Sequence, residues 1–438
     1  MQLPRARFCW SMIGVGHDWT AIGPGQMKQA ATEEADQRYH VKALSHDQAK
    51  RRLVVEWCDG HVSRFPFIWL RHAKFFPSCG RPEQAADDSY LLPEPPDAAV
   101  VGSVKSDRHG IEIHWANDHS ASQHSLVWLR DNCPSEAARR ARQPKPTLWK
   151  GADAEEFHWF DAGDLDVPGT KLALFQHLRE YGLALVRNAP VEPGTVAELA
   201  KHFGPLRRTH HGSLFSIRSL PHDNKGTGAN IGATTTNAQA PHTDEGFRHS
   251  PLGIMLFHCL TPDPSGGGAS LFVDGIAAAE TLRQSDPAAF SFLTTTPLVW
   301  AAERNPEERF RTRARVIATD SQGVVRGVRI TDRTIPPVDL PEDEIEAAYR
   351  ALRAMSEQLY ASVRTFERHL QPGELVVFDN HRVLHARRAF NPDAGERHIQ
   401  QVSIDREEFH NVFRQLAEQL GRFDLANWEP DAGALSHG

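Results

Sequence analysis

The sequence predicts a mainly β fold with flanking helices (α+β), in which a small β domain precedes a jelly roll or barrel. Short apolar runs of strand length alternate with glycine- and proline-containing turns over most of the chain, and only a few segments show helical periodicity. Strands and helices do not alternate regularly, as they would in a doubly wound sheet. Because the chain has 438 residues, we also expect more than one compact core.

The small β domain, predicted over residues 41–145, is expected to contain two related hairpins. In each of them an alternating strand leads through a polar turn to an apolar run that contains Trp-Leu-Arg, beginning at Trp69 or at Trp128. Residues 1–40 lack a sustained period and are expected to form a loose extension. The segments of the two hairpins are 52–58 with 65–70, and 110–115 with 125–130.

The second domain is predicted over residues 151–425, with a tail at 426–438 and a linker at 141–151, where Pro144 and Pro146 disfavour regular structure. One predicted helix is long, and the other elements are short. The predicted helices are 171–181, 193–203 and 342–369, and the predicted strands are 253–260, 269–273, 313–319, 324–330, 375–378 and 397–404.

Composition excludes several classes of protein. Lysine and arginine total 49 against 56 aspartates and glutamates, so the formal net charge of −7 provides no basic field for nucleic acid or an anionic membrane. No run of about 18 apolar residues predicts a membrane span. The five cysteines are widely spaced and imply no disulfide framework, and the first 16 residues lack the apolar core of a signal peptide. We therefore expect a cytoplasmic protein, whose 24 histidines raise the question of metal binding.

A His-x-Asp motif is the first candidate metal site. In an extended chain His242 and Asp244 place an imidazole and a carboxylate on the same side, where both can bind one metal ion. By itself the motif is weak, because 24 histidines give on the order of one such match by chance. A turn or rim hydrogen bond is the alternative interpretation.

A second histidine and an arginine strengthen the metal interpretation. The buried-type strand 375–378 leads to His385, and Arg397 follows twelve residues later. Two histidines and one carboxylate would leave open positions on Fe(II). A guanidinium fork would suit the far carboxylate of a dicarboxylate bound to that metal. Taken alone, Arg397 could equally be a surface charge.

In these motifs the chain resembles the gamma-butyrobetaine and trimethyllysine dioxygenases, within the taurine-dioxygenase group of Fe(II)/2-oxoglutarate oxygenases. The resemblance covers about residues 52–420, and its motifs are His-Thr-Asp at 242–244 and the segments 256–260, 267–275, 378–387 and 395–398. It implies a double-stranded β-helix (jelly-roll) oxygenase domain that hydroxylates an unactivated C–H of a small polar metabolite. The cosubstrates would be 2-oxoglutarate and O2, and the products would include succinate and CO2.

The resemblance also implies roles for individual residues. His242, Asp244 and His385 match the iron ligands, and His385 is preferred over His381 because of its Leu-His context and its distance from Arg397. Arg397 matches the arginine that holds the distal carboxylate of 2-oxoglutarate, and Ser270 matches the hydroxyl that assists it. Asn230 matches an asparagine near the cosubstrate. No general base is required by this chemistry.

Two departures from the family pattern are visible. In the family's β domain, three cysteines and a later histidine hold zinc. The cysteine positions fall here at Lys74, Phe76 and Cys79, so only Cys79 is still a cysteine. His119 is at best the later histidine ligand. Because two ligands cannot close a tetrahedral site, no structural zinc is expected.

The aromatic cage for a trimethylammonium group is the second departure. Its positions fall at His211, Phe215, Thr234 (or Ala233) and Ser403, so one aromatic ring remains, and Glu245 makes the pocket mouth polar. This favours a primary amine, an amino acid or a phosphonate-like molecule as substrate. Misalignment of the cage is the alternative.

Three alternative functions stay open at this point. One is gamma-butyrobetaine hydroxylation with a rebuilt cage, and one is a non-catalytic jelly-roll protein that binds a small molecule. A zinc hydrolase using the same histidines would need a water activator, which nothing in the sequence specifies. No nucleic-acid or membrane partner is expected, and the resemblance suggests a homodimer.

Overall fold

The computed structural model describes residues 37–73, 95, 97, 99–107, 110–143, 146–209, 212–219, 237–305 and 308–426. The chain divides into two compact units, residues 1–141 and 142–438. Among the described residues, no helix combines the length and the apolarity that crossing a membrane requires.

The first unit contains two antiparallel three-stranded sheets, each followed directly by a short helix. The first sheet has the order β1-β2-β3 and the second has the order β4-β5-β6. The elements are β1 (Val41–Asp47), β2 (Arg52–Trp57), β3 (Val62–Pro66), α1 (Phe67–Ala73), β4 (Val101–Ser106), β5 (Gly110–Trp115), β6 (Ala121–Ser125), α2 (Leu126–Asp131) and α3 (Glu136–Ala141).

The two halves of this unit repeat the same buried contact. In the first half the indole N–H of Trp57 donates to the Ser63 hydroxyl at 2.9 Å. In the second half Trp115 donates to Ser122 at 3.0 Å. Trp69 of α1 and Trp128 of α2 stack with ring centroids 4.9 Å apart. The repeat predicted from Trp-Leu-Arg is therefore also present in the structure.

Each half also supplies an arginine to the other half. Arg71 of α1 pairs with Asp118 in the β5–β6 turn, and Arg130 of α2 donates to Asp59 in the β2–β3 turn at 2.8 Å. The Arg71 guanidinium lies over the Trp115 ring, 5.2 Å from its centroid. The halves are thus joined by reciprocal contacts rather than packed as independent hairpins.

The state of the two Trp-Leu-Arg runs differs from the prediction. Both were expected to be part of β-hairpins, but both are helical, in α1 and α2. The Ser125 hydroxyl accepts from the Trp128 N–H at 3.4 Å and caps α2. Leu126 and Leu129, three residues apart, are buried on one side of this helix. A short apolar run is compatible with a strand or a helix, so packing and capping determine which of the two forms.

The second unit contains two larger sheets, two hairpins and a set of helices. Its strands are β7 (Trp159–Asp161), β8 (Leu183–Arg187), β9 (Phe215–Ser219), β10 (Gln239–His242), β11 (Ile254–Thr261), β12 (Ser270–Asp274), β13 (Leu298–Asn305), β14 (Glu308–Ala314), β15 (Ile317–Thr319), β16 (Val325–Val328), β17 (Thr365–Arg368), β18 (Leu375–Asp379), β19 (Val383–Arg387) and β20 (Arg397–Ile404). Its helices are α4 (Gly151–Glu155), α5 (Pro168–Tyr181), α6 (Thr195–Ala200), α7 (Gly275–Ser285), α8 (Pro287–Thr295), α9 (Glu342–Tyr360), α10 (Arg406–Gln419) and α11 (Phe423–Ala426).

The two larger sheets face each other as a jelly roll. One has the order β7-β8-β18-β11-β20-β9 and the other has the order β10-β19-β12-β17; β7 and β8 form the one parallel pair among the described strands. Phe378 of the first sheet lies 5.6 Å from Phe272 of the second, and Phe257 lies 5.1 Å from His385, measured between ring centroids. The predicted fold class, mainly β with flanking helices and a preceding small β domain, is confirmed.

Helices α5 and α10 cover the outer face of the six-stranded sheet. Phe175 of α5 and Phe409 of α10 meet edge to face at 5.1 Å in a core that also contains Val377 of β18. Helix α5 is followed directly by Gly182, its C-cap residue, which has a φ of +72°. A Cβ atom there would lie 2.6 Å from Arg382 Cδ, so glycine is required by both conformation and space.

Several predicted boundaries in this unit are wrong. The long helix ends at Tyr360 rather than near 369, because residues 365–368 pair with β12 as β17. The predicted strand 313–319 is the end of β14 and then β15, and strand β13 was not predicted. Pairing with a neighbouring strand decides these cases, and it is not visible in local periodicity.

Candidate active site

Two neighbouring strands bring the metal motif together. His242 at the end of β10 lies directly opposite His385 of β19 in the antiparallel register. His242 Nε2 lies 3.4 Å from Asp244 Oδ1, and His385 Nε2 lies 3.7 Å from Asp244 Oδ2. Among the described residues these three form the one cluster of histidine, cysteine or acidic side chains with metal-binding geometry, with ligand atoms within 4.8 Å of one another.

Hydrogen bonds fix the orientation of these side chains. His242 Nδ1 contacts the Ala240 carbonyl oxygen at 2.8 Å, which directs the lone pair of Nε2 toward Asp244. The Asn380 side chain accepts from the Asp244 N–H at 2.8 Å and donates to the Asp244 carbonyl oxygen at 3.1 Å. The backbone of the motif is therefore held by a buried amide that does not itself face a metal.

The protonation states also suit metal binding. Burial, reinforced by His242, lowers the pKa of His385 to about 3, so its imidazole is neutral at physiological pH. Burial raises the pKa of the Asp244 carboxyl, but the neighbouring imidazoles of His385 and His242 outweigh this effect and hold the pKa below its usual range. A neutral imidazole and an ionised carboxylate are the forms that bind Fe(II), so His385 and Asp244 fit the metal.

His381, the competing histidine, lies outside this cluster. Its side chain is buried, and Arg406 lies 3.3 Å from its Nδ1. Burial, together with Arg406 and Arg329, lowers the pKa of His381 well below its ordinary value. Its backbone N–H donates to Asp379 at 3.0 Å, so the residue belongs to the turn between β18 and β19.

A buried arginine lies farther along the pocket. Arg397, at the start of β20, is 6% exposed and makes no hydrogen bond or ion pair with another described residue. Its guanidinium lies 5.7 Å from the centroid of the Phe390 ring. Gly268, with a φ of +66°, passes so close that a Cβ atom there would lie 3.2 Å from Arg397 Nε. A buried guanidinium beside a pocket is suited to bind a carboxylate.

The sequence-predicted residues occupy different parts of the pocket. Ser270 and Arg397 line it together with the three metal-binding candidates. Phe215, Glu245 and Ser403 also line it. The Glu245 carboxylate pairs with Arg248, whose guanidinium lies 4.2 Å from the centroid of Phe310. The predictions at His211, Asn230 and Thr234 lie outside the described residues, as do the zinc positions at Lys74, Phe76 and Cys79.

Two residues near the site were missed from the sequence. Arg387 lines the pocket and is 5% exposed. Its position two residues after His385 in a strand was a usable signal, because residues two apart share a face. Asn380 gave no such signal, since its role is to bind the backbone of Asp244. Burial, reinforced by Arg397 and Arg333, lowers the pKa of Arg387 to about 9.

Together, the fold and the site define a class of protein. Two imidazoles on neighbouring strands of a jelly roll, with one carboxylate in the turn after the first strand and a buried arginine nearby, are typical of non-haem Fe(II) oxygenases. Comparison with known families narrows this class. The family described as "Taurine catabolism dioxygenase TauD, TfdA family" matches residues 140–403, and "Gamma-butyrobetaine hydroxylase-like, N-terminal" matches residues 44–121. The chain belongs to the first family and is an Fe(II)- and 2-oxoglutarate-dependent dioxygenase of a small metabolite.

The relatives are similar over most of their length. Gamma-butyrobetaine dioxygenase of Pseudomonas sp. (strain AK-1) is 33% identical over 359 residues, 81% of this chain and 91% of its own. The Homo sapiens gamma-butyrobetaine dioxygenase is 26% identical over 84% of this chain and 95% of its own. The mitochondrial trimethyllysine dioxygenase of Bos taurus is 26% identical over 82% of this chain and 84% of its own.

One solved structure is an asparagine oxygenase in complex with Fe(II), 2S,3S-3-hydroxyasparagine and succinate. It aligns with 17% identity and a TM-score of 0.45, over 55% of this chain and 80% of that chain.

Proposed function

We propose that His242, Asp244 and His385 hold the iron of this dioxygenase. The register of β10 and β19 carries this proposal, because it places the two imidazoles opposite each other with their Nε2 atoms next to one carboxylate. We further propose that Arg397 and Ser270 bind the distal carboxylate of 2-oxoglutarate. Their position on the pocket wall and the burial of Arg397 support this assignment. The predicted role of Asn230 near the cosubstrate stays a prediction.

The work of the protein in this reaction is binding and orientation. When bound, iron and 2-oxoglutarate supply the oxidation of an unactivated C–H bond. Asp244 and the two histidines would hold the metal, and the buried guanidinium would orient the cosubstrate. Phe257 packs edge-on against His385 and limits access of water to that side of the site. No described residue is needed as a general base.

The substrate that we propose is a small polar metabolite without a quaternary ammonium group, such as an amino acid or an aminophosphonate. Phe257 and Phe247 line the pocket, but Phe257 packs against Phe378 and Phe247 packs against Phe310. Among the described lining residues, the one carboxylate besides Asp244 is Glu245, which Arg248 neutralises. Of the proposed cage positions that the structure describes, Phe215 is the one with an aromatic ring, so a trimethylammonium group would find there neither a complete aromatic cage nor an unbalanced negative charge.

Gamma-butyrobetaine is the second candidate substrate. The observation that favours it is the 33% identity to the Pseudomonas gamma-butyrobetaine dioxygenase over 91% of that protein. Under this alternative, other residues would rebuild the cage.

Turnover of 2-oxoglutarate distinguishes these candidates. Fe(II)-loaded protein is given 2-oxoglutarate and air with a panel of amino acids, aminophosphonates and betaines, and succinate is measured against His385→Ala. We expect one amino acid or aminophosphonate to increase succinate formation in the wild type alone. If gamma-butyrobetaine is the best substrate, the argument from the missing cage is wrong. If no compound raises succinate above the variant, the proposed catalytic role of the site is wrong.

We also infer that the enzyme is a cytoplasmic homodimer without a nucleic-acid or membrane partner. The net charge of −7 and the few, widely spaced cysteines support the location and the absence of polyanionic partners. The inference of a dimer rests on the family resemblance. Light scattering of the purified chain tests it, because a mass near 49 kDa, that of one chain, would contradict a dimer.

A further inference from the structure

Gln401 is a pocket residue for which the assignments above give no role. It lies in β20, the strand that begins with Arg397, and it is the one residue of this strand that is not buried. Alternate residues of a strand share a face. Four alternate residues of β20 line the pocket, namely Arg397, Ile399, Gln401 and Ser403. The exposed part of Gln401 therefore faces the pocket.

The position of Gln401 along β20 places it beyond the cosubstrate. It follows Arg397 by four residues of extended strand, which correspond to about 13 Å. Because 2-oxoglutarate is shorter than this distance, a molecule held at Arg397 would not fill the pocket as far as Gln401. Gln401 is thus placed for the second ligand of the site, the substrate.

Two phenylalanines flank Gln401 in the six-stranded sheet. Phe257 of β11 lies opposite it on one side, and Phe215 of β9 lies opposite it on the other. Both phenylalanines line the pocket, and the Phe257 ring lies 5.1 Å from the ring of His385. Residues directly opposite each other in antiparallel strands project from the same face. The Gln401 amide therefore lies between two apolar side chains, where a hydrogen bond is stronger than in water.

The neighbouring glutamine has a structural role that Gln401 lacks. Gln400 is 3% exposed, its side-chain N–H donates to the Ser216 hydroxyl at 2.9 Å, and its carbonyl oxygen accepts from the Gly194 N–H at 2.8 Å. The side chain of Gln401 makes no hydrogen bond with another residue in the part of the chain that the structure describes. Bonds within the protein thus explain the amide of Gln400 but not that of Gln401.

The charged groups around the pocket favour an anion. Four arginines and two carboxylates line it, and binding of Fe(II) with the dianion 2-oxoglutarate would leave that balance unchanged. Arg207 pairs with Asp405 and Glu245 pairs with Arg248, and positive groups still outnumber negative ones when these partners are included. The charged lining residues are Arg207, Arg333, Arg387, Arg397, Asp244 and Glu245.

We propose that the Gln401 amide donates a hydrogen bond to an oxyanion of the substrate, either a carboxylate or a phosphonate, and thereby determines specificity. The inference rests on the proposed dioxygenase site and narrows its substrate to a small molecule with an acid group. An amide N–H binds an oxyanion well in a site with little water, because a hydrogen bond to a charged group is stronger than one to a neutral group.

Calorimetry with oxygen-free protein, loaded with Fe(II) and 2-oxoglutarate, tests this inference. The probes are 4-aminobutyrate and L-norvaline, the primary amides of both, and 3-aminopropylphosphonate, in which a phosphonate replaces the carboxylate of 4-aminobutyrate. The Kd of each probe is measured for the wild type, Gln401→Met, Gln401→Glu and Gln415→Glu. Gln415→Glu is the matched control, because it makes the same change of charge at an exposed position of α10. Melting temperatures of the variants report whether they are folded.

We expect at least one acid probe to bind the wild type about tenfold more tightly than the corresponding amide. Gln401→Met should weaken that acid about tenfold, because it removes a hydrogen bond to a charged group. Gln401→Glu should weaken it about a hundredfold, because a like charge faces the oxyanion, and should change the amide by less than about threefold. Affinity for 2-oxoglutarate should be unchanged in both variants, and Gln415→Glu should behave like the wild type. A tighter Kd for the carboxylate or for the phosphonate identifies which oxyanion the site prefers.

Four results would overturn the inference. Unchanged affinity for every acid in Gln401→Met would mean that Gln401 does not contact the oxyanion. Equal weakening of an acid and its amide would mean that only the shape of the pocket has changed. Tighter binding of both by Gln401→Glu would mean that the residue faces the ammonium group, and no binding of any acid by the wild type would exclude an acidic substrate. Failure of the Fe(II)-loaded wild type to bind 2-oxoglutarate would instead show that the proposed site is wrong, which separates the two failures.

Discussion

At the scale of single residues, the site depends on groups that hold the ligands as much as on the ligands. Asp244 lies in a backbone segment that Asn380 binds through two hydrogen bonds. Gly268 leaves room for Arg397, because a Cβ atom at Gly268 would lie 3.2 Å from Arg397 Nε. The motifs of the sequence contain the residues proposed to bind the metal, but they do not show which neighbouring residues hold them in place. Two predictions follow from these neighbours.

Asn380→Ala should weaken Fe(II) binding about tenfold to a hundredfold, because removing a group that orients a metal ligand typically costs this much. The substitution deletes both hydrogen bonds to the backbone of Asp244 without changing a ligand. Titration of the protein with Fe(II) under anaerobic conditions measures the effect. Asn380→Asp keeps the acceptor and should bind better than the alanine variant. Wild-type affinity in Asn380→Ala would contradict this account of how Asp244 is positioned.

Gly268→Ala should raise the KM for 2-oxoglutarate about threefold to tenfold, with a smaller change in kcat. The new Cβ atom would lie 3.2 Å from Arg397 Nε and 3.4 Å from Phe390 Cβ, so the guanidinium must move. Gly266→Ala is the matched control, because Gly266 also has a positive φ, of +75°, but a Cβ atom there meets nothing within 4 Å. Equal kinetic effects of the two variants would show that backbone strain, and not the contact with Arg397, is responsible.

At the scale of elements, the small β unit is a duplicated structure joined by exchanged arginines. The sequence revealed the repeat through the two Trp-Leu-Arg stretches, but it did not reveal their helical state. A six- or seven-residue apolar run fits a strand or a helix equally well, and the Ser125 cap became recognisable only with the geometry of α2. In the same way, the register that pairs residues 365–368 with β12 could not be read from a segment whose periodicity continues that of α9.

Arg71→Ala should destabilise the full chain by about 1.5 to 3 kcal/mol, the usual range for hydrogen bonds to charged groups. Arg71 is 3% exposed, bonds Asp118 and Ser120 of the other half, and stacks on Trp115. Urea denaturation followed by tryptophan fluorescence measures the free energy of unfolding. Arg130→Ala should cost less, because the Arg130 side chain is 13% exposed and its guanidinium lies 6.0 Å from Trp57. A fully stable Arg71→Ala variant would contradict the importance of the exchanged contact.

At the scale of the whole molecule, the sequence predicted the fold class and the family because both depend on features spread along the chain. The strand-length runs predicted the mainly β architecture, and the spacing of His242, Asp244, His385 and Arg397 carried the family resemblance. The proximity of two buried arginines inside the pocket was not predictable in this way. Arg387 and Arg397 come from different sheets, and only the closed jelly roll places both of them beside Phe390.

The stability of the molecule should fall between pH 7 and pH 4.5. Burial lowers the pKa values of His124, His177 and His258 to about 4, whereas unfolded histidine titrates near 6.5. The unfolded state therefore binds more protons below pH 6.5, so the stability that these histidines contribute above that pH is lost as the pH falls toward 4.

Calorimetric melting temperatures across this range check the prediction. His177 lies among Phe157, Phe160 and Tyr181, so His177→Phe should fit the site and show a smaller decrease on acidification. A melting temperature that is constant from pH 7 to pH 4.5 would be incompatible with buried neutral histidines.

The most direct test of the central claim is the stoichiometry of Fe(II) binding in the presence of 2-oxoglutarate without oxygen. We predict one Fe(II) per chain for the wild type and for His381→Gln, whose histidine is buried nearby but lies outside the cluster. His385→Ala should lose this tight binding. Wild-type binding by His385→Ala, or its loss in His381→Gln alone, would contradict the assignment of the metal site to His242, Asp244 and His385.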